Sequence, residues 1–415
     1  MKVHIVSLVF PPETGAARRV GEIALALSER GHQVSVVTSF PSYPKGIVFS
    51  GYEKALLQRE IWKGKICVYR VFTHTSSERQ QTMNRVLNYL SFTMFSLLAL
   101  MALPKPDIVY VCSPPYFLGL TGWVAAALRR SRLVLDIQDL WPDAPIALGY
   151  VRSSWLIKIL QSLERFIYSR ASLVLTISDT MRTWVADRTE EKSKVTLVHN
   201  WVDLIQYSPV DGHALRTSLD FETKFVLLFA GNIGKAQSLD MLLDAAIELR
   251  NDMEVEFVIL GDGVEKARLM KRANDLSLKN VSFLDSVEEN RVPEFLGMAD
   301  ALLVTLGRAK HRDAAIPSKL QVYMASSKPL IVAAEGATAQ VVRTAECGLV
   351  VAPNDGRALA DAVLLMKKMP ESERFRLGQA ARVFAEEHFE MAQQCAKIEA
   401  HLAKLLNGEN DAVPA

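Results

Sequence analysis

The chain has 415 residues, of which 49% are hydrophobic and 23% charged, and its formal net charge at pH 7 is +2. A single hydrophobic core stops growing at roughly 250–300 residues, so this length favours two domains over one. The composition is ordinary for a globular protein and excludes low-complexity and short-repeat architectures.

Charge is divided unevenly along the chain. Residues 1–200 contain 24 Lys and Arg against 15 Asp and Glu, whereas residues 201–415 contain 24 against 31. The positive excess predicts that the first half faces an anionic partner such as a membrane surface. A nucleic-acid partner is not expected, because no run of interleaved basic and aromatic residues accompanies the charge.

Neither disulfides nor a signal peptide is expected. Cys67, Cys112, Cys347 and Cys395 are scattered with no CxxC spacing, a pattern typical of buried thiols in a reducing compartment. The first apolar run is eight residues long and is followed by Pro11–Pro12 without a small-residue cleavage site. This run therefore predicts a first strand.

Two segments share one order of elements: an apolar strand, a glycine-containing turn and an amphipathic helix. In the first, a strand over Val3–Phe10 precedes the turn Pro11–Gly15 and a helix that stops at Gly31. In the second, a strand over Phe225–Ala230 precedes the turn Gly231–Lys235. Such turns present backbone N–H groups at a helix N-terminus, where the helix dipole favours phosphate. Neither turn is a GxGxxG or a P-loop, so phosphate binding and plain turn geometry both stay open.

Strands alternate with helices through both halves, which predicts parallel, doubly wound α/β sheets. The polar segment Tyr207–Asp220 is the expected linker, and charged helices are expected from Pro370 to Leu406. The further predicted strands are Gln33–Thr38, Asp107–Cys112, Leu133–Ile137, Leu173–Ile177, Val195–Val198, Glu256–Leu260, Val281–Leu284, Ala301–Thr305, Pro329–Ala333 and Leu349–Val351.

The segment Val86–Leu103 is an uncharged stretch whose length touches the transmembrane threshold, with Arg79 and Arg85 before it. Polar residues interrupt it, and the strand Asp107–Cys112 must return to the same sheet, so a membrane span is not expected. Two compatible interpretations stand: a crossover helix packed on the sheet, and a helix whose outer face lies in the headgroup layer. The amphipathic stretch Trp155–Arg170 is expected to face the core.

Eight motifs, taken together and in this order, resemble the retaining glycosyltransferases of family 4, nearest the branch of fucosamine-transferase-like enzymes of surface-polysaccharide assembly. The match covers nearly the whole chain. The motifs are Pro11–Pro12–Glu13–x–Gly15, Gly31–His32, Phe40–Pro41–Ser42–Tyr43–Pro44, Asp136–x–x–Asp139–Leu140–Trp141–Pro142–Asp143, Asn200–Trp201–x–Asp203, Gly231–Asn232–x–Gly234–Lys235, Gly261–Asp262–Gly263 and Ile316–Pro317–Ser318–Lys319.

The resemblance implies the GT-B fold, an α/β architecture of two Rossmann-like doubly wound domains that face a central cleft. The expected domains are an acceptor-binding domain over residues 1–205 and a donor-binding domain over residues 206–385. Residues 386–415 are expected to form a C-terminal helix, which could pack back on the first domain, and a tail.

The donor of such an enzyme carries two phosphates, so its site needs backbone N–H groups and cations. Ser318 is expected to cap a helix that begins at Pro317 and points at the diphosphate, and the loop Gly307–Ile316, with Arg308, Lys310, His311 and Arg312, is expected to border it. Capping alone for Ser318 and solvated surface charges for the lysines are the alternatives. The predicted donor-binding residues are Gly15, Gly234, Lys235, Asp285, Ser318 and Lys319.

In the acceptor half, Glu13 and Asp139 are the catalytic candidates that the resemblance implies, and Trp141 is a pocket candidate. Arg19 follows the first turn and is placed to reach a phosphate. The alternatives are a capping charge for Glu13, a surface cation for Arg19 and a plain turn for Asp139–Pro142.

The chain departs from the wider family at several positions. Two glutamates spaced by seven residues are replaced by Ala314 and Val322, and a histidine near a strand end is replaced by Gln138. Asn232 stands where an arginine usually opens the donor-domain turn, and Ser327 stands for a glycine. An atypical donor and a catalytically inactive protein both stay open.

The resemblance therefore implies a retaining, metal-independent hexosyltransferase with no cofactor. Its expected partners are a UDP-sugar, with an N-acetylamino sugar favoured, a polyprenyl-diphosphate-linked or other glycolipid acceptor of O-antigen, capsule or exopolysaccharide synthesis, and a membrane surface. A cytoplasmic, peripheral location on the inner face of the cytoplasmic membrane is expected. A GT-B-fold sugar-nucleotide epimerase and a non-catalytic UDP-sugar-binding subunit are the alternatives.

Overall fold

The computed structural model describes residues 1–43, 45–77, 82–143, 146, 151–308, 314 and 316–408. The chain divides into two compact units, unit 1 with residues 1–198 and 395–415, and unit 2 with residues 199–394. The expectations for Pro44, Arg79, Lys310, His311 and Arg312 fall outside the described residues.

Unit 1 is built on an eight-stranded sheet of order β3-β4-β2-β1-β5-β6-β7-β8, in which only the β3–β4 pair is antiparallel. Its strands are β1 (Lys2–Val6), β2 (Gln33–Ser39), β3 (Leu57–Trp62), β4 (Ile66–Val71), β5 (Ile108–Ser113), β6 (Arg132–Ile137), β7 (Leu173–Thr176) and β8 (Val195–Leu197). Its first helices are α1 (Ala16–Glu29), α2 (Thr82–Ala102), α3 (Leu118–Arg129), α4 (Ser154–Arg170) and α5 (Asp179–Ala186), and a 3₁₀ turn covers Lys192–Lys194.

Unit 2 is built on a six-stranded parallel sheet of order β11-β10-β9-β12-β13-β14. Its strands are β9 (Phe225–Ala230), β10 (Val255–Leu260), β11 (Val281–Leu284), β12 (Ala301–Thr305), β13 (Leu330–Ala333) and β14 (Gly348–Val351). Its helices are α6 (His213–Ser218), α7 (Asp240–Glu248), α8 (Lys266–Asp275), α9 (Val292–Met298), α10 (Ser318–Ala325), α11 (Gly336–Thr344), α12 (Gly356–Lys368) and α13 (Glu371–His388), with 3₁₀ turns at Lys235–Gln237 and Glu289–Arg291.

The predicted parallel α/β architecture is confirmed in both units. Central strands such as β5, β9 and β10 are buried along their whole length, as expected for sheets covered by helices on both faces. Side-chain caps fix two helix starts: Ser178 Oγ accepts from the Met181 N–H at 3.0 Å, and Asp355 Oδ1 accepts from the Ala358 N–H at 2.9 Å.

The last helix, α14 (Met391–Asn407), begins in unit 2 and ends in unit 1. Within unit 1, Glu399 pairs with His32 Nε2 at 2.7 Å and with Arg30 Nε at 3.1 Å. His401 Nε2 lies 3.2 Å from Thr196 Oγ1. These contacts attach the end of α14 to unit 1.

Three predicted elements differ from the structure. The stretch Trp155–Arg170, expected to face the core, forms most of α4, but Trp155 and Ile159 on its apolar side are 65% and 51% exposed. The predicted strand Val3–Phe10 ends at Val6, because β1 pairs with β2 and β5 only that far. Phe10 is buried in the loop after β1, where its ring lies 5.0 Å from that of Trp62. The apolar residues of this loop made the predicted strand too long. The predicted linker Tyr207–Asp220 contains α6, whose Arg216 pairs with Asp300 at 3.0 Å in unit 2.

The β3–β4 hairpin was not predicted, and it supplies a buried cation, Arg70, that binds the backbone of two other segments of unit 1. Arg70 of β4 is completely buried. Its guanidinium donates to the Pro11 carbonyl at 2.8 Å and to the Ser39 carbonyl at 3.0 Å, and it pairs with Glu60 at 2.8 Å. The loop after β1 and the end of β2 are therefore held together by one side chain.

We predict that Arg70→Met lowers the free energy of unfolding by about 2–4 kcal/mol, because it leaves two carbonyls and a carboxylate without their donor. The measurement is urea unfolding followed by tryptophan fluorescence, which reports mainly on unit 1 because five of the six tryptophans belong to it. The exposed Arg59, on the same hairpin, is the control: Arg59→Met should change stability by no more than about 0.5 kcal/mol. Equal losses in the two variants would contradict the assignment.

Candidate functional site

Unit 1 has a cavity of about 340 Å³ at the carboxyl ends of its central strands, the edge at which open α/β sheets bind ligands. The loops after β1, β5 and β6 form it together with α1 and α2. Its lining includes Ser7, Val9, Gly15, Arg19, Tyr43, Tyr89, Ser113, Pro114, Pro115, Asp136 and Gln138.

Asp136, near the end of β6, lies at the centre of this cavity's polar groups. Its carboxylate accepts from the Tyr110 hydroxyl at 2.9 Å, from Gln138 Nε2 at 2.5 Å and from the Arg19 guanidinium at 3.3 Å. Burial, and then the charge of Asp136, raise the pKa of Tyr110 and Cys112 well above their ordinary values. The phenol and the thiol are therefore neutral, and the only charges in this cluster are those of Arg19 and Asp136.

Arg19 lines this cavity. Its side chain is only 11% exposed, so the alternative interpretation of a surface cation is wrong. Asp136 belongs to a motif that carries the resemblance, but neither Asp136 nor Tyr110 was predicted as a site residue. One signal could have found Asp136: it is the single acidic residue in the apolar strand Leu133–Ile137, and a buried carboxylate needs partners.

Glu13 is buried and binds backbone groups of its own loop and of the next one. Its Oε1 accepts from the N–H groups of Ser42 at 2.8 Å and Tyr43 at 2.7 Å, and its Oε2 accepts from the Phe10 N–H at 3.3 Å. The alternative of a capping charge is therefore wrong. The catalytic role of Glu13 stays a prediction. Its contacts fix the loop beside Gly15, the N-cap residue of α1, whose φ of +69° favours glycine.

Asp139 and Trp141 lie on the loop after β6, outside the residues that line the unit 1 cavity. The Asp139 residue is exposed, although desolvation by the protein around its carboxyl group raises its pKa to about 6. The Trp141 ring stacks on that of Tyr116 with centroids 5.8 Å apart. At neutral pH Asp139 is therefore mostly ionised.

Unit 2 has a second cavity, of about 620 Å³, at the carboxyl ends of β9, β10 and β11 and the start of α10. The turns after β9 and β10 touch: a Cβ on Gly261, at φ +140°, would lie 2.1 Å from the Gly231 carbonyl oxygen. The lining includes Gly231, Asn232, Gln237, Gly261, Asp262, Ser286, Val287, Ser318, Lys319, Val322 and Tyr323.

Lys319 presents a buried ammonium to this cavity. Its Nζ lies 3.7 Å from the centroid of the Phe229 ring, is shielded from solvent and has no hydrogen-bond partner among the residues that the structure describes. Desolvation lowers its pKa to about 7. The helix that carries Lys319 is fixed by Tyr323, whose hydroxyl accepts from the Ala230 N–H at 2.7 Å and donates to the Ala230 carbonyl at 2.8 Å. The site therefore combines a helix N-terminus with an uncompensated buried cation, which is suited to an anion.

Three predicted donor-binding residues, Lys235, Gly234 and Asp285, do not line the unit 2 cavity. Lys235 is exposed and does not line the unit 2 cavity. Gly234 donates its N–H to Gln237 Oε1 at 3.2 Å. Asp285 is exposed and pairs at 2.6 Å with Lys266, a contact that lowers the pKa of Asp285.

The predicted cap at Ser318 is wrong. Pro317 occupies the N-cap position of α10 with extended ψ, and Ser318 is the first helical residue with no capping hydrogen bond. Ser318 is exposed and lines the cavity instead. Val322 lines the cavity at one of the two positions where the resemblance implies a glutamate, while the neighbouring Gln321 donates to the Asn200 carbonyl at 2.7 Å.

Helix α2 carries an apolar stripe on its exposed side. It is the one described helix that is long and apolar enough to cross a membrane by length and composition, and 28% of its apolar window is buried in the protein. Members of the α2 stripe are between 42% and 67% exposed. They are Met83, Val86, Leu87, Leu90, Met94 and Leu98.

No group of three or more His, Cys, Asp and Glu side chains that could hold a metal is found among the described residues.

Comparison with known proteins identifies the chain's two halves. Residues 14–201 match the family model "Glycosyl transferase 4-like domain", and residues 214–384 match "Glycosyl transferases group 1". The "Putative colanic acid biosynthesis glycosyl transferase WcaI" of Escherichia coli (strain K12) is 31% identical over 348 residues, 81% of this chain and 84% of that protein. The "Probable glycosyltransferase WbjE" of Pseudomonas aeruginosa is 24% identical over 308 residues, 73% of this chain and 76% of that protein.

Solved structures show the same architecture along nearly the whole chain. Sucrose-phosphate synthase from Thermosynechococcus elongatus superposes with a TM-score of 0.75 at 16% identity, covering 98% of this chain and 99% of that one. Anabaena HepE in complex with UDP superposes with a TM-score of 0.70 at 15% identity, covering 97% and 100%. The GT-B fold is confirmed, and the chain belongs to the glycosyltransferases whose domains match the 4-like and group 1 models.

Proposed function

We propose that this glycosyltransferase moves a sugar from a UDP-sugar to a lipid-linked saccharide in surface-polysaccharide synthesis, with retention at the anomeric carbon. The observation that carries the proposal is the uncompensated Lys319 ammonium at the N-terminus of α10. The names of the relatives WcaI and WbjE and the UDP bound by the neighbour HepE support it. The N-acetylamino sugar stays an expectation.

The donor diphosphate would lie in the unit 2 cavity. Lys319 would leave the Phe229 ring and pair with a phosphate, and the first N–H groups of α10 would add the helix dipole. The turns at Gly231 and Gly261, which carry no side chain, allow the diphosphate to approach the backbone closely. Positive charge placed where the leaving diphosphate develops charge is the main source of rate in this mechanism.

The acceptor hydroxyl would enter on the same face as the leaving group. It would bond to the anomeric carbon as the bond to the diphosphate oxygen breaks, and that oxygen would take the hydroxyl proton. Asp139, mostly ionised at pH 7 because its pKa is about 6, is our candidate to orient the acceptor or stabilise the oxocarbenium-like centre. Glu13 would act by holding its loop, since its oxygens bind three backbone N–H groups. We propose that no metal takes part.

The α2 stripe is our candidate for the membrane contact. Side chains on the inner face of α2, such as Phe92 and Leu100, are fully or almost fully buried in unit 1, so the helix cannot leave the fold to cross a bilayer. An exposed apolar stripe on a half of the chain with excess positive charge fits the headgroup layer of an anionic membrane. Tyr89 of the same helix lines the unit 1 cavity, which would bring a lipid-linked acceptor to it from the inner face of the cytoplasmic membrane.

A second candidate is a UDP-sugar-binding subunit without activity. It is favoured by Val322, an apolar residue that lines the unit 2 cavity at a position where the resemblance implies a glutamate. UDP release from a panel of UDP-sugars, with and without a membrane extract of a polysaccharide-producing strain and with and without EDTA, separates the candidates. Extract-dependent, EDTA-insensitive release with one sugar supports a metal-independent transferase, whereas UDP binding with no turnover supports the subunit.

We predict that Lys319→Met lowers turnover by roughly tenfold to a thousandfold, because it removes the cation that meets the leaving diphosphate. The measurement is the rate of UDP release at saturating donor. Lys235→Met is the matched control, since Lys235 is exposed and does not line the cavity, and it should change the rate by less than about threefold. Similar losses of turnover in both variants would contradict the proposed contact of Lys319 with the leaving diphosphate.

Donor affinity should depend on pH through Lys319. In the free protein its pKa is about 7, so the ammonium is present below pH 7 and is lost as the pH rises above it. A bound diphosphate favours the ammonium, so binding takes up a proton, and the dissociation constant of a UDP-sugar should rise by up to about tenfold per pH unit from pH 7 to 9. Calorimetric titration measures this slope. Lys319→Arg should flatten it, and an unchanged slope in that variant would rule out Lys319 as its origin.

Membrane binding should be lost when charge is placed on the α2 stripe. We predict that Leu90→Glu with Met94→Glu weakens co-sedimentation with phosphatidylglycerol-containing vesicles by at least about tenfold, because two carboxylates would enter the apolar layer next to anionic lipid. Met253→Glu is the control, since Met253 is an apolar residue of unit 2 that is more exposed than Leu90 and Met94. Binding that survives the double substitution would exclude this face as the contact.

A further inference from the structure

We infer that Lys266 is a positioning residue for donor binding, and that it acts by holding together two turns that line the unit 2 cavity. Lys266 itself is not among the residues that line this cavity, and it was not predicted as a site residue. The inference rests on the proposed function, because it concerns the cavity in which the UDP-sugar would bind.

The Lys266 ammonium has three N–H donors, and it contacts three acceptors. Its Nζ donates to the Gly261 carbonyl at 2.9 Å, to the Leu284 carbonyl at 3.2 Å and to Asp285 Oδ1 at 2.6 Å. Gly261 belongs to the turn after β10, whereas Leu284 ends β11 and Asp285 begins the turn that follows it. One side chain therefore joins the turns after two neighbouring strands.

Both of these turns form part of the unit 2 cavity. Two residues of each turn line it: Gly261, Asp262, Ser286 and Val287. The Gly261 N–H donates to the Leu284 carbonyl at 3.1 Å, and beyond this pair no backbone hydrogen bond joins the two turns in the part of the chain that the structure describes. Past Leu284, the contacts of Lys266 therefore fix the spacing of the two turns.

The position of Lys266 in its helix does not favour a lysine. Lys266 is the first residue of α8, and a cation at a helix N-terminus meets the positive end of the helix dipole. Its side chain is nevertheless only 13% exposed, and burial of an ammonium has a further desolvation cost. The contacts with the two turns have to outweigh both costs, and departures from local preference of this kind are expected at functional sites.

Asp285, which was predicted to bind the donor, has a small part in this arrangement. Its side chain is 99% exposed, and an exposed ion pair contributes little because water screens it. The carbonyls of Gly261 and Leu284 are backbone groups that no substitution at Asp285 removes. We therefore expect these two carbonyls to account for most of the effect of Lys266.

Turns that are fixed in advance favour donor binding, because they do not have to be ordered when the ligand arrives. Lys266 lies outside the cavity lining, so its loss should weaken nucleotide binding more than it slows the chemical step at the diphosphate. This expectation is the opposite of the one for Lys319→Met, which should lower turnover at saturating donor.

Calorimetric titration with UDP, and steady-state kinetics with the UDP-sugar that is turned over, test the inference on the full-length protein. Lys266→Met should raise the dissociation constant of UDP and the KM for the UDP-sugar by at least about fivefold, while kcat changes by less than about threefold. Asp285→Asn should change each constant by less than about twofold. An unchanged dissociation constant in Lys266→Met, or a loss confined to kcat, would overturn the inference.

Lys328→Met is the matched control for a general loss of stability. Lys328 is another partly buried lysine of unit 2, and its Nζ donates to the Gly297 carbonyl at 2.7 Å. Neither Lys328 nor Gly297 lines the cavity. This variant should leave the dissociation constant of UDP within about twofold of the parent value. Equal increases in the two lysine variants would show that Lys266 has a merely structural role.

Hydrogen–deuterium exchange of the ligand-free protein tests the spacing of the turns without any substrate. A peptide that covers residues 284–288 should exchange at least about tenfold faster in Lys266→Met than in the parent protein, and Lys328→Met should not change it. Unchanged exchange in Lys266→Met would contradict the inference. If Lys266→Met does not fold, Lys266→Gln, which is one bond shorter and uncharged, serves for all three measurements.

Failure of the proposed function gives a different result from failure of this inference. If the unit 2 cavity is not a donor site, the parent protein binds no UDP, and the positioning role is overturned even where the exchange of residues 284–288 responds to Lys266→Met. If the cavity is a donor site that Lys266 does not organise, the parent protein and Lys266→Met bind UDP equally well.

Discussion

A charge removed from water must be compensated, and the two cavities meet this requirement in opposite ways. In unit 1 the Arg19 guanidinium and the Asp136 carboxylate neutralise each other, and the tyrosine and cysteine beside them stay protonated. In unit 2 the Lys319 ammonium contacts the face of Phe229 and has no hydrogen-bond partner among the described residues, and a cation–π contact replaces little of the hydration that a buried charge loses. The charges of the first pair balance each other, whereas the buried cation in unit 2 would be stabilised by an anion. This difference in charge pairing supports the proposal that the donor diphosphate binds in unit 2.

The unit 1 cavity also depends on loops that buried charged side chains hold in place. The loop after β1 would be free to move if only its ends were fixed, but Glu13 binds three backbone N–H groups of that loop and the next. Arg70 binds the Pro11 carbonyl in the loop after β1 and the Ser39 carbonyl at the end of β2. One buried anion and one buried cation therefore satisfy opposite backbone groups of neighbouring loops, which fixes the cavity wall before a ligand arrives. The β3–β4 hairpin has a role in the site because it carries Arg70.

The sequence predicted the parallel sheets well because their central strands are continuous apolar runs, such as Phe225–Ala230, that match a buried strand and little else. It missed the β3–β4 hairpin because β3 alternates exposed and half-buried residues and contains Arg59 and Glu60, so no apolar run marks it. Among the site residues, Lys319 could be proposed from the helix start. Its position over Phe229 depends on β9 and α10 packing together, and the Arg19–Asp136 pair joins residues 117 positions apart. Local patterns carry no information on such distant pairs.

Helix α2 has one face that packs against unit 1 and an opposite face that is exposed and apolar. Its buried residues include Asn88 and Ser96, and Asn88 Nδ2 donates to the His74 carbonyl at 2.7 Å, which fixes this face against unit 1. The positions between them, including Leu90 and Met94, fall on the opposite side and form the exposed stripe. A helix that only packed on a sheet would have polar residues on that side, and a helix that crossed a bilayer would not commit its polar face to a folded domain. A buried inner face together with an apolar outer face is consistent with the proposed membrane contact of α2. Because Tyr89 on this helix lines the unit 1 cavity, the proposed membrane contact would involve the same turns as the cavity wall.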